Sequence, residues 1–113
     1  MIRALILLAV IEVVIVSGCT STPPLADFSS DKELAKNTCI GICQTISSDL
    51  TNRSPCLSDN NPDWNITDWV CDVAHDPRLP VDNLPENQCS EFRQGKAHHF
   101  VEVDPDCRFI RTV

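Results

Sequence analysis

The residues of this chain with the most chemistry open to them are its seven cysteines: Cys19, Cys39, Cys43, Cys56, Cys71, Cys89 and Cys107. Thiols can cross-link, bind zinc, cycle between redox states or accept a lipid, and their spacing selects among these. Zinc ribbons and dithiol redox sites bring two cysteines together as C-x-x-C, a spacing that does not occur here. Past Cys19 the cysteines form an even set of six, the pattern of a disulfide framework in a short exported chain. Cys39 and Cys43 stand four residues apart, so on a helix they share one face and point away from its axis. They are poorly placed to pair with each other, and each is expected to reach across to another segment. Six cysteines allow 15 connectivities, and spacing alone does not choose among them.

Other constellations invite a chemical reading and fall short of one. Asp59, Asn61, Asp63 and Asn65 alternate as the first ligands of a calcium loop would. Such a loop also requires Gly at its sixth position and Glu at its twelfth; Trp64 and Val70 occupy those places. His98-His99 with Glu102 nearby is the best metal candidate, but neighbours on a strand face opposite ways. His75 beside Asp76 suggests a hydrogen-bonded pair without an adjacent nucleophile to activate. No serine sits in a nucleophile-elbow setting. The expectation is therefore no catalytic residue, no metal and no cofactor.

Cys19 is set apart by what precedes it. Met1-Ile2-Arg3 is a short positive head, Ala4 to Ile11 is an uninterrupted apolar run, and Val13 to Val16 continue it after Glu12. The layout is that of an export signal. Its end, Val16-Ser17-Gly18-Cys19, resembles the lipobox of prokaryotic membrane lipoproteins. The resemblance covers residues 1–19 and implies cleavage before Cys19, a diacylglyceryl group on the Cys19 sulfur and an acyl chain such as palmitate on its freed amine. A retained membrane helix is the rival. Ala4 to Gly18 would reach only roughly 22 Å as a helix, short of the about 30 Å hydrocarbon core, and Glu12 lies within it.

Charge narrows the partners. The formal net charge is −7, and Arg3 and Glu12 cancel, so removing the signal leaves it unchanged. An acidic domain is a poor ligand for nucleic acid and for anionic lipid. Membrane contact is then expected through lipid on Cys19 alone.

The elements that must position these cysteines follow. Thr20 to Ser29 is small, polar and proline-stiffened, a tether. Ser30 and Glu33 have capping-box spacing, so a helix is predicted from Asp31 to about Ser48, with Leu34, Thr38, Ile42 and Ile46 as its apolar stripe. Thr51 to Asp63 is rich in turn formers. Trp64 to Ala74 fits a strand or a short helix equally, held by Cys71, with its tryptophans in the core. His75 to Gln88, interrupted by Pro77, Pro80 and Pro85, should wrap the surface between Cys71 and Cys89. Ala97–Val103 and Cys107–Val113 flank Asp104-Pro105-Asp106, a β-hairpin pattern, with Cys89 or Cys107 tied back to the helix.

The sequence thus predicts a signal at 1–18, a tether at 19–29 and one disulfide-stabilised domain at 30–113. Its fold class is small disulfide-rich α+β: one N-terminal helix on a C-terminal β-hairpin, with a long loop-rich middle. The expected role is a non-catalytic binding or structural domain, lipid-anchored at the cell membrane and facing away from the cytoplasm. The alternative is an envelope thiol-redox protein using one labile cysteine pair.

Overall fold

A computed structural model describes residues 13–15, 17–18, 28–46 and 49–113. Cys19, most of the expected signal and most of the expected tether lie outside the described residues. Helix α1 spans Phe28–Thr45. Strand β1 (Trp69–Val73) is followed by 3-10 turns at Pro80–Asn83 and Pro85–Asn87, the short helix α2 (Ser90–Arg93), and strands β2 (His99–Val103) and β3 (Phe109–Thr112). The architecture is small α+β with one main helix, a three-stranded sheet and a loop-rich middle.

The helix differs from expectation at its start and in its rotation. Phe28 and Ser29 are already helical, which places Ser30 inside the first turn and not at the cap. The buried stripe is Ala35, Cys39 and Cys43, one residue on from the predicted line. Leu34 is 55% exposed, while Ile42 and Ile46 are partly buried against the core. The cause is covalent. Both helical cysteines must face the sheet to reach their partners, and a rotation of about 100° per residue then turns Leu34 outward.

The hairpin is present. Cys107 N–H donates to the Asp104 carbonyl at 2.8 Å, closing a turn with Pro105 in its second position, where a fixed φ favours it. Glu102 and Arg111 are partners in the antiparallel β2–β3 ladder, and the register shifts between Glu102 and Val103. Trp64–Ala74 resolves as strand from Trp69 onward. It lies parallel to β2, with Trp69 opposite His99 and Val73 opposite Val103. The free edge of β1 is covered by the preceding loop: Leu57 N–H donates to Cys71 O, Val73 N–H to Pro55 O, and Cys71 N–H to Ser58 Oγ.

Alternation gives the sheet two buried faces, which explains why all five residues of β1 are buried. Trp69, Cys71, Val73, Val101 and Val103 meet α1 and form the larger core. Burying such side chains contributes about 1.5–3 kcal/mol each. Val70 and Phe100 face the other way, onto Cys56, Cys89 and Ala97. The second core is small because charged residues occupy the rest of that face.

The six domain cysteines pair as Cys39–Cys71, Cys43–Cys107 and Cys56–Cys89. The first two staple α1 to β1 and to the hairpin turn, one helical turn apart. The third ties the 55–58 loop to the residue that precedes α2, on the opposite side of the sheet.

Candidate functional site

The sheet face turned away from α1 carries the charged groups. By register, Asp72 on β1 is paired with Glu102 on β2, and Glu102 with Arg111 on β3. Arg78 enters from the loop after β1. Its Nη1 donates to Glu102 Oε2 at 2.9 Å, and its Nη2 to Asp82 O and Asn83 Oδ1. Arg111 Nε donates to the other Glu102 oxygen at 2.7 Å. Glu102 is thus a buried carboxylate with both oxygens satisfied by guanidinium groups that extend to solvent, the arrangement that makes a buried charge tolerable.

Asp72 has no such partner. It is 9% exposed, and its Oδ1 is buried with no hydrogen-bond partner. Burial first, and then the Glu102 charge, push its carboxyl up to about 8. At neutral pH it is therefore an uncharged acid: desolvation penalises the ionised form, and a neighbouring carboxylate does the same.

Asp72 and Glu102 line a cavity of about 70 Å³ together with Val70, Phe92, Phe100, Cys89, Gln88, Arg78 and Arg111. Phe92 and Phe100 meet edge to face with ring centroids 5.0 Å apart, and the Arg111 guanidinium lies 5.4 Å from the Phe100 centroid. The wall is thus apolar on one side and cationic at the rim.

A second polar cluster closes the loop after β1. Asp82 is 2% exposed; its Oδ2 accepts from the backbone amides of His75 and Leu79, and its Oδ1 is 2.8 Å from His75 Nδ1. Burial opposes ionisation of Asp82, but those amides and the imidazole outweigh it and hold the carboxyl below its ordinary range. His75 is raised, chiefly by that same hydrogen bond. The expected His75–Asp76 pairing is therefore corrected: the partner is Asp82, brought close by the 3-10 turn, which folds the loop back where sequence adjacency does not.

The remaining sequence candidates do not assemble into a metal site. His98 Nδ1 lies 2.5 Å from Asp68 Oδ1, and His99 Nε2 lies 3.6 Å from Asp68 Oδ2. Asp68 bridges both rings, whereas Glu102 is held by its arginines. Asp59 accepts from Ser90 N–H, and Asn61 is bound to Leu57 O and Asp63 N–H, so the alternating acidic loop consists of separate turn contacts. Among the described residues, one trio of ligand-type side chains comes close together, Cys56, Asp59 and Cys89, and its two sulfurs are already bonded to each other. Trp69 is 3% exposed and stacks on His99, while Trp64 donates its Nε1–H to Trp69 O. Both serve the core.

Sequence reading did not find the Asp72, Glu102, Arg78, Arg111 cluster. The available signal was alternation: Val70 and Asp72, like Phe100 and Glu102, fall opposite the residues that face the helix. A carboxylate on a strand normally marks a solvated face, and here the 75–93 segment covers that face.

Fold and site together define a small disulfide-stapled α+β domain with a charged, partly apolar cavity on the sheet face opposite its helix. No family model, curated protein or solved structure matches the chain. Among the described residues, no helix is long and apolar enough to cross a membrane.

Proposed function

We propose that the protein is a lipid-anchored domain of the cell envelope, held to the cell membrane through Cys19, facing away from the cytoplasm, and serving non-catalytically by presenting a disulfide-fixed surface for binding. The observation that carries this reading is the pairing of all six cysteines after Cys19. It leaves Cys19 as the odd one, at the end of the lipobox-like stretch, and it calls for an oxidising compartment. More than one acyl chain on that residue gives stable attachment, at about 0.8 kcal/mol per buried methylene.

The redox alternative is weakened by burial. Cys39 and Cys71 are 0% exposed, and exchange requires a thiolate to reach a sulfur. Cys56 and Cys107 are partly exposed, but they pair across 33 and 64 residues, unlike the close pair of a redox motif.

Intact mass spectrometry of the membrane fraction tests the reading. The expected species begins at Cys19, carries lipid mass and has lost six protons to three bridges. Cys19→Ser should leave an unprocessed precursor or a detached domain. Retention in the membrane at the mature mass without Cys19 overturns the anchor, and free domain thiols in the native protein overturn the compartment.

A further inference from the structure

The cavity opposite α1 joins a buried acid with one unpartnered oxygen, a half-exposed guanidinium whose Nε alone is engaged by Glu102 and an apolar wall, three features that call for the same kind of occupant. Asp72 Oδ1 is buried without a partner, and leaving such a group unmade costs on the order of 1–3 kcal/mol. Arg111 uses only Nε on Glu102, so its two terminal amino groups have no hydrogen-bond partner among the described residues. Val70, Phe92 and Phe100 supply the apolar surface.

We propose that this cavity is a binding site for a small carboxylate, which would accept hydrogen bonds from Arg111 and from the Asp72 carboxyl while resting its carbon chain on Phe92 and Phe100. The proposal rests on the reading of the domain as a binding module and names the chemistry of what it binds.

Charge decides between an anion and a cation. Arg78 and Arg111 contribute two positive charges and Glu102 one negative. Asp72, raised to about 8, is neutral at pH 7, and the cluster is left with one net positive charge. The other ionisable groups nearby are Asp82 and His75, which bind each other, and Asp76, which with His75 borders the outer side of Arg78, Glu102 and Arg111 and does not line the cavity; α1 lies on the opposite face of the sheet. A cation would face two guanidinium groups and force Asp72 to ionise. A monocarboxylate meets a complementary charge and converts Asp72 into a charge-assisted donor, among the stronger hydrogen bonds. Size agrees. About 70 Å³ is room for roughly five water molecules, the bulk of a two- or three-carbon acid.

The test is a titration of the full chain in detergent micelles, ¹⁵N-labelled, with acetate and propionate against methylammonium. The carboxylates should give saturable shifts at the amides of Val70 to Val73 and Phe100 to Glu102 and at the Arg111 side-chain N–H. Binding should weaken about tenfold from pH 7 to pH 9 as Asp72 loses its proton. Asp72→Asn keeps a neutral donor and should remove that pH dependence. Arg111→Gln, at a half-exposed position, should weaken binding at every pH. The site is overturned by the absence of a saturable response to either carboxylate, by equal saturation with methylammonium, or by a pH dependence that persists in Asp72→Asn. Membrane fractionation of the same chain reads the anchor separately. A detached chain that still binds overturns the proposed location alone, and an anchored chain that does not bind overturns the site alone.

Discussion

Asp72 and Glu102 are direct partners across the parallel β1–β2 ladder, two buried acids on one face of which one is held by two guanidinium groups and the other by none. Strands lie about 4.8 Å apart, too close for two buried carboxylates to ionise without compensation. Arg78 and Arg111 both bind Glu102, which leaves Asp72 to take the neutral form.

That asymmetry makes stability depend on pH. The folded-state value of Asp72 lies near 8 and the unfolded value near 3.8, so the folded chain holds a proton that the unfolded chain gives up. The contribution is complete below the unfolded value and is lost as pH rises through about 8, at up to about 1.4 kcal/mol per pH unit. Asp72→Asn should therefore raise stability at pH 7 and flatten the profile between pH 4 and 8. Urea midpoints across that range check it.

His75 adds a second dependence of the same sign. Its value is raised above 6.5, chiefly by Asp82, so its stabilising contribution is full below 6.5 and disappears as pH rises through the higher folded value. In an Asp72→Asn background, His75→Gln should remove the remaining fall in stability at neutral to alkaline pH, read as thermal midpoints at pH 6 and pH 8.

The Cys43–Cys107 bridge closes 64 residues, the longest of the three loops. Loop-closure entropy assigns such a cross-link about 4 kcal/mol. Replacing both cysteines by Ala should cost that much and free the C-terminal half of α1 from the hairpin turn. Denaturant unfolding gives the loss, and hydrogen exchange locates it in residues 40–45.

Gly41 lies in α1 with open space where a Cβ would sit. Gly41→Ala should stabilise the domain by about 1 kcal/mol through helix propensity, measurable as a rise in thermal midpoint. A loss would mean that the backbone there departs from a regular helix.

The fold was legible where the signal is local. Pro105 between two aspartates fixed the hairpin turn, and the i, i+4 spacing of Cys39 and Cys43 required partners elsewhere. The helix rotation was not legible, because Leu34 and Ala35 compete for the core and the bridges decide between them. Alternation was consistent with strand at Trp69–Val73, but nothing local marked it as parallel to β2. The pairing joins segments about 30 residues apart, and only the packing of the chain between them sets its direction.

Composition and order along the chain determined that six cysteines would cross-link a small α+β domain and that a seventh stands beside a signal-like stretch, since these follow from counting and from local periodicity. Which cysteines join, and that Asp72, Arg78, Glu102 and Arg111 meet, was decided only by tertiary structure. Each charge is unremarkable in its own segment. Their chemistry arises when residues 75–93 close over the second face of the sheet and take the Asp72 and Glu102 carboxyls out of water.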